Sequence, residues 1–120
     1  MDIEQFRDYC LKKKGVTEEF PFDADTLVFK VLGKMFALIP LERWEQGEAS
    51  ISLKADSEYS QELRAEYHSI RPAFHMNKTH WNTLYLHEGE LELSLILDLI
   101  SHSYDMVVLN MSKKLKEKLL

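Results

Sequence analysis

The segment at residues 71–82 carries the side chains in this chain that are best suited to bind a polar ligand. Its twelve residues include one arginine, one lysine, two histidines and two asparagines, together with Phe74 and Trp81. No acidic residue lies between positions 67 and 87, although the whole chain has 20 Asp and Glu residues. Such a segment can donate hydrogen bonds to phosphates or base edges while its aromatic rings stack or pack.

The pattern of residues gives little support to a metal site or a catalytic centre. Four of the five histidines, at positions 68, 75, 80 and 87, follow a spacing that matches no standard metal motif. The single cysteine, Cys10, lies on the apolar side of a predicted helix, far from the histidines in sequence. The four glycines form no phosphate-binding loop, and no Gly-x-Ser-x-Gly motif occurs. We therefore expect no metal, no cofactor and no catalytic activity.

Two other uses of residues 71–82 stay open. In the first, histidine and asparagine side chains satisfy the backbone of an irregular loop, while Met76 and Trp81 pack into the core. In the second, the segment forms one wall of a pocket that binds a small molecule or a partner protein.

The composition describes a single domain spanning residues 1–120. Hydrophobic residues make up 45% of the chain and charged residues 29%, which is ordinary for a globular protein with one core. There is no signal-peptide pattern, no apolar run long enough to span a membrane, and only one cysteine. We therefore expect a cytoplasmic protein, with a monomer favoured. The net charge of −5 opposes DNA binding by the whole surface but not by a local basic face.

Apolar spacing and turn residues predict the elements that must position this segment. Asp2 and Gln5 have the spacing of a capping box at the start of a first helix. Residues 50–54 and 81–86 are predicted to be strands, and residues 91–110 a long helix with apolar side chains at helical spacing. The predicted order is helix, hairpin, strand, helix, strand, helix. We expect an α+β fold with two layers, in which helices pack on one face of an antiparallel sheet.

Residues 26–39 are predicted to form a β-hairpin. Gly33-Lys34 suits the two central positions of a type II′ turn. In that register, Lys30 points outward and Lys34 lies at the tip, where each lysine either keeps the surface soluble or contacts a phosphate backbone. The predicted core face carries Leu27, Phe29, Val31, Phe36 and Leu38.

Several motifs resemble the MmcQ/YjbR family of small bacterial proteins, which share a fold with the bacterial frataxins of the CyaY-like group. The motifs, in chain order, are Phe20-Pro21-Phe22, Gly33-Lys34-Met35-Phe36-Ala37, Ser52-Leu53-Lys54, His75-Met76-Asn77-Lys78-Thr79-His80-Trp81-Asn82-Thr83 and His102-Ser103-Tyr104-Asp105. The resemblance covers nearly the whole chain. It implies a "double wing" fold and non-catalytic DNA binding through sheet hairpins and neighbouring loops.

Carried over by position, the resemblance also implies which side chains would contact DNA. The candidates are Arg71, His75, Asn77, Lys78 and His80, with Lys30 and Lys34 on the hairpin, and the chemistry of their side chains adds Trp81 and Asn82. Arg71 and Lys78 would neutralise phosphates, Asn77 or Asn82 would contact a base edge or a phosphate, and Trp81 would stack on an unpaired base. One departure from the family pattern is Thr79, which stands where many relatives place another basic residue.

The likeness to frataxins raises iron binding as a further candidate function. Its ligands would be the acidic residues Glu18, Glu19, Asp23 and Asp25. Residues 20–22 interrupt this acidic group, whereas hard cations need several oxygen atoms that converge at short range. We therefore expect these carboxylates to be solvated and rank iron binding below the other functions.

Overall fold

A computed structural model describes residues 1–74 and 76–120 and contains an antiparallel sheet with the strand order β1-β2-β3-β4-β6-β5. His75, one of the predicted contact residues, lies outside the described residues. The strands are β1 Val16–Glu19, β2 Thr26–Val31, β3 Lys34–Pro40, β4 Ser50–Lys54, β5 Ile70–Pro72 and β6 Trp81–Tyr85. The helices are α1 Ile3–Leu11, α2 Leu41–Glu45, α3 Ser57–Glu66, α4 Leu93–Leu109 and α5 Lys113–Lys116, with 3₁₀ turns at Leu86–Glu88 and Glu117–Leu119.

The main hydrophobic core lies between the helices and one face of the sheet, so the predicted α+β architecture is confirmed. In α4, Ile96, Ile100 and Val107 recur at helical spacing and are buried against the sheet. The first helix begins as predicted, because Asp2 and Gln5 form both hydrogen bonds of a capping box. One face of the sheet therefore supplies most of the apolar burial.

Cys10 is part of this core and should be chemically inert in the folded protein. It is fully buried, and burial raises the pKa of its thiol to about 12. The thiolate is the reactive form, so it should be almost absent at pH 8. We expect a thiol reagent at pH 8 to modify Cys10 only after denaturant is added. Rapid modification without denaturant would contradict this buried placement.

The β2–β3 hairpin turns one residue earlier than predicted. Val31 pairs with Lys34, so the central residues are Leu32 and Gly33, with φ angles of 48° and 84°. Positive φ at both positions is the signature of a type I′ turn, and the predicted type II′ turn was wrong. A leucine rarely adopts positive φ. Here its side chain packs against the main core and its amide donates to the carbonyl of Gly15, at 3.0 Å.

A β-bulge in the same hairpin changes which residues of β3 face the core. Phe29 pairs with Ala37 and Lys30 pairs with Met35, which leaves Phe36 as the extra residue. Strict alternation predicted Leu38 on the core face, and this was wrong. Leu38 lies on the opposite face of the sheet, and Ile39 enters the main core instead.

A buried hydroxyl group connects β3 to β4 at this bulge. The register pairs Ala37 with Leu53, and the next positions along the strands are Phe36 and Lys54. Ser103 of α4 donates from Oγ to the carbonyl oxygen of Phe36 at 2.5 Å and accepts from the amide of Lys54 at 2.8 Å. Helix α4 therefore supplies a hydrogen-bond partner for the carbonyl of Phe36 and the amide of Lys54, next to the β-bulge.

Candidate functional site

The face of the sheet that lies away from the helices forms a groove of about 990 Å³, here called the sheet groove. Side chains of β3, β4 and β6 form its floor. Phe22 lines it from the loop before β2, while Phe74, Met76 and Asn77 line it from the loop between β5 and β6. Its volume is near the upper end of the range of about 300–1,000 Å³ that is typical of small-molecule pockets.

One part of the sheet groove is apolar. A second cluster, separate from the main core, contains Val28, Leu38, Ala73 and Trp81, with Met35 and Met76 packed against it. Trp81 is only 8% exposed, so its ring forms part of the floor of the groove. The predicted stacking on an unpaired base would need a ring that is more exposed than this. Methionine side chains are flexible and adapt their shape to what they contact. The apolar part can therefore accept a hydrophobic group.

Hydroxyl groups occupy the middle of the floor. Ser52 Oγ and Thr83 Oγ1 are 3.0 Å apart and share a hydrogen bond. Ser50 lies two residues from Ser52 on the same strand and also lines the groove. Because hydroxyls both donate and accept hydrogen bonds, this part can bind a polar group of a ligand.

Arg71 lines the sheet groove and is held in place by neighbouring residues. Its Nε donates to the carbonyl of His68 at 2.9 Å, and its Nη2 donates to both carboxylate oxygens of Glu88, at 2.8 and 2.6 Å. The guanidinium carbon lies 4.4 Å from the centre of the Tyr85 ring. The hydrogen bond to Glu88 raises the pKa of Arg71. Residues 71–82 include no acidic residue, but in the folded protein Glu88 lies next to Arg71.

The two hairpin lysines do not form a common basic surface. Lys30 lies on the open face, where it forms an ion pair with Glu19 of β1. Lys34 pairs with Val31, which is part of the main core, and directly opposed residues share a face of the sheet. Lys34 is therefore exposed at the tip on the helix side, and the hairpin presents less positive charge to the sheet groove than predicted.

Asn82 lies on the helix side of the sheet and is 2% exposed. Its Oδ1 accepts from Arg64 Nε at 2.6 Å, and its Nδ2 donates to Ser60 Oγ at 3.0 Å. Its neighbours Trp81 and Thr83 point to the other face, since alternate side chains of a strand do so. The expectation that Asn82 contacts DNA was wrong, because both ends of its amide group are bound inside the protein.

Arg64 of α3 anchors the loop between β5 and β6, and no sequence signal identified it. Its Nη2 donates to the carbonyl oxygens of Lys78 and, at 3.3 Å, of Trp81. Burial lowers the pKa of Arg64. In the sequence it is one charged residue among several on a predicted polar helix surface, so only the structure reveals its role.

The same loop is closed by its own hydrogen bonds. Asn77 Oδ1 accepts from the amide of Thr79 at 2.9 Å, and the carbonyl of Asn77 accepts from the amides of His80 and Trp81, at 3.3 and 2.9 Å. His80 Nδ1 lies 3.4 Å from the carbonyl oxygen of Ala55. These contacts fit the interpretation in which the side chains of Asn77 and His80 satisfy backbone groups of the loop and its neighbours. Lys78, by contrast, is exposed.

The acidic residues considered for iron are engaged by neighbouring groups. Glu18 binds the guanidinium of Arg7, Glu19 pairs with Lys30, and Asp23 accepts from backbone amides of its own turn. Among residues 1–74 and 76–120, no three His, Cys, Asp or Glu side chains are grouped as metal ligands.

Over the same residues, no helix has the length and apolar character needed to cross a membrane.

Comparison with known proteins identifies the family of this chain. The YjbR family model matches residues 11–106. The chain is 33% identical over 120 residues to the uncharacterized protein YjbR of Escherichia coli K12, covering 100% of this chain and 98% of that protein. It is 39% identical over 95 residues to the uncharacterized protein YbdF of Escherichia coli O157:H7, covering 79% of this chain and 75% of that protein.

Solved structures agree with this assignment. The crystal structure of Deinococcus radiodurans protein DR2400, with a DUF419 domain, is similar with a TM-score of 0.88 and 35% identity, over 98% of this chain and 87% of that one. A crystal structure from Pseudomonas syringae is similar with a TM-score of 0.71 and 32% identity, over 88% of this chain and 98% of that one. On the family match and the shared fold, this chain belongs to the YjbR family.

Proposed function

We propose that this chain is a cytoplasmic, non-catalytic binding protein that holds a small organic molecule in the sheet groove. The observation that carries the proposal is the groove, in which the apolar cluster around Trp81 adjoins the hydroxyls of Ser52 and Thr83. Pockets with an apolar lining and a few placed polar groups are typical of small-molecule sites. This function corresponds to the pocket-wall interpretation of the loop between β5 and β6.

Charge supports this choice over DNA as the main ligand. Arg71 and Lys30 both have acidic partners, Glu88 and Glu19, and Asn82 is inside the protein. The net charge of the chain is −5. Affinity for nucleic acid comes largely from the neutralisation of phosphates by unpaired cations. The open face offers fewer such cations than the sequence alone indicates.

A neutral dye can test the proposed function. N-phenyl-1-naphthylamine fluoresces more strongly in apolar surroundings, and we expect it to bind the wild-type protein. Met35→Arg places a charged group beside the apolar cluster and should weaken binding about tenfold, or roughly 1.4 kcal/mol. The matched control is Met106→Arg, which changes another half-buried methionine, on α4, outside the residues that line the groove. Absence of binding, or equal weakening by both variants, would contradict the proposal.

DNA binding is the second candidate, and Lys78 and Phe74 favour it. Phe74 is 74% exposed, and the Nζ of Lys78 lies 5.9 Å from the centre of its ring. Cations beside exposed aromatic rings are typical of surfaces that bind single-stranded nucleic acid. Both residues belong to the loop that borders the sheet groove.

The salt dependence of binding tests this second candidate. For a short single-stranded oligonucleotide, Lys78→Ala should weaken binding and reduce the slope of log K against log salt concentration by about one. Lys12→Ala, which removes an exposed lysine just after α1, serves as the control and should leave the slope unchanged. If the wild-type protein shows no salt-sensitive binding, DNA is not a ligand of this face.

A further inference from the structure

We infer that the protein has a second binding surface, a lysine-rich end that attaches it to the anionic surface of a lipid bilayer. This surface, here called the lysine end, consists of the turn after α1, the tip of the β2–β3 hairpin and the C-terminal segment. Its lysines are at positions 12–14, 34, 113, 114, 116 and 118. Lys34 lies on the helix side of the sheet, and Leu115 and Leu119 of the C-terminal segment pack against the main core. The lysine end is therefore separate from the sheet groove.

Contacts between the three segments bring these lysines together. At the hairpin tip, the amide of Leu32 donates to the carbonyl oxygen of Gly15 at 3.0 Å. A Cβ atom at Gly15 would lie 2.7 Å from Cδ2 of Leu119, so the C-terminal segment packs directly on the same turn. Tyr104 of α4 donates to the carbonyl oxygen of Lys14 at 2.6 Å. The fold thus joins lysines that are far apart in sequence into one surface.

The lysine end concentrates positive charge in a protein that is otherwise acidic. Its eight lysines are more than half of the 15 Lys and Arg residues of the chain, whereas residues 12–15, 32–34 and 112–119 include only one of the 20 acids, Glu117. Asp8 and Asp105 are exposed acids at its border. Among the residues that the structure describes, no carboxylate forms an ion pair with any of these lysines. The lysine end is therefore free to meet an anionic partner, toward which the charge asymmetry would orient it.

The side chains around these lysines favour a bilayer over a nucleic acid. Arginines and exposed aromatic rings are typical of nucleic-acid surfaces, whereas every cation of the lysine end is a lysine. The neighbouring rings of Tyr9 and Tyr104 are half-buried, with centres 4.8 and 5.4 Å from the Nζ of Lys13. Leu11 and Leu109, the last residues of α1 and α4, are 37% and 65% exposed. Lysines beside exposed leucines are typical of surfaces that bind at the interface of an anionic membrane.

Vesicle sedimentation tests this surface, with phosphatidylcholine vesicles that contain about 30% phosphatidylglycerol. At low salt the wild-type protein should bind these vesicles but not vesicles of phosphatidylcholine alone, and about 0.5 M NaCl should release it. Replacing both Lys114 and Lys118 with glutamine should weaken binding about 25-fold, or about fivefold for each lysine. The matched control replaces Lys30 and Lys78, which changes the net charge equally but on the open face, and should retain most of the affinity.

A further variant separates a bilayer from other anionic partners. Leu109→Ser should weaken vesicle binding about threefold, because it removes an apolar contact with the interface and no charge. Leu109 is exposed, so the variant should fold normally, and thermal unfolding of every variant checks this.

Three outcomes would overturn the inference. The first is no binding to the anionic vesicles at low salt, and the second is equal weakening by the two double variants. The third is vesicle binding that Leu109→Ser leaves unchanged, which would contradict the apolar contact on which the choice of a bilayer rests. If the Lys114 and Lys118 double variant loses affinity for a DNA duplex but not for vesicles, the partner of the lysine end is a nucleic acid and the bilayer assignment is wrong.

Discussion

Replacing Asn82 with leucine should lower the free energy of unfolding by about 3 kcal/mol, although the two side chains have nearly the same size. The amide of Asn82 is buried and binds both Arg64 and Ser60. Leucine would leave the Ser60 hydroxyl without this partner in the interior and would remove one hydrogen bond from the half-buried Arg64 guanidinium. A buried polar group that loses its partner costs roughly 1–3 kcal/mol, and more if it is charged.

Urea unfolding measures this loss, and Asn77→Leu is the matched control. Asn77 is exposed, and its Oδ1 accepts one hydrogen bond, from the amide of Thr79. Water can replace that bond, so Asn77→Leu should cost less than about 1 kcal/mol. If the two variants lose similar amounts of unfolding free energy, the buried hydrogen bonds of Asn82 contribute no more to stability than the exposed hydrogen bond of Asn77.

The second large effect is expected for Ser103→Ala, at about 3 kcal/mol of unfolding free energy. The hydroxyl of Ser103 binds the carbonyl of Phe36 and the amide of Lys54, and the residue is fully buried. Alanine leaves both backbone groups without this partner between β3 and β4. It also leaves a small void, because the hydroxyl oxygen is removed and not replaced.

Ser101→Ala controls for the change in helix propensity, because it makes the same substitution on α4. Ser101 is half-buried, and its hydroxyl contacts Tyr9 and Lys13 near the surface, where water can take its place. We expect a loss below about 1 kcal/mol for this variant. Hydrogen exchange should also show faster exchange of the Lys54 amide in Ser103→Ala. Equal losses for the two serine variants would contradict the bridging role of Ser103.

The apolar pattern of the sequence predicted helices α1, α3 and α4, because burial on one side imposes a regular period. Ile96, Ile100 and Val107 face the core as expected. The bulge at Phe36 has no such signal, since it depends on how two strands pair. Two short strands, β1 and β5, were also not predicted as strands. With four and three residues respectively, each is too short to show a period of its own.

Helix α2 is another short element that the sequence pattern did not predict. Residues around Trp44 were predicted to form a connecting loop, whereas the structure has a short helix at Leu41–Glu45. Its position depends on a contact outside the helix, since Trp44 Nε1 donates to the carbonyl oxygen of Ser50 at 2.8 Å. A contact between two elements has no signature in the local sequence of either one.

The sequence singled out the segment at residues 71–82, but it did not show how the fold arranges these side chains. Arg71, Asn77 and Trp81 do line the sheet groove. The pattern of β6 could not show which face is open, because Asn82 is polar and buried, while Trp81 is aromatic and on the groove side. Nor could it show that Glu88 neutralises Arg71. Partners of a charge are set by the fold in three dimensions, so an acid-free stretch of sequence does not predict an acid-free surface.

The division of the sheet into a helix-covered face and an open face has a consequence for evolution. Substitutions at Ser50, Ser52 and Thr83 change the lining of the groove without removing apolar contacts from the main core. With the proposed function, selection can therefore alter what the groove binds in one lineage while the backbone is conserved. Relatives with the backbone similarity seen in the Deinococcus radiodurans protein, at 35% identity, are thus free to have diverged in what they bind. For protein engineering, the same three positions are a natural starting point for new specificities on an unchanged scaffold.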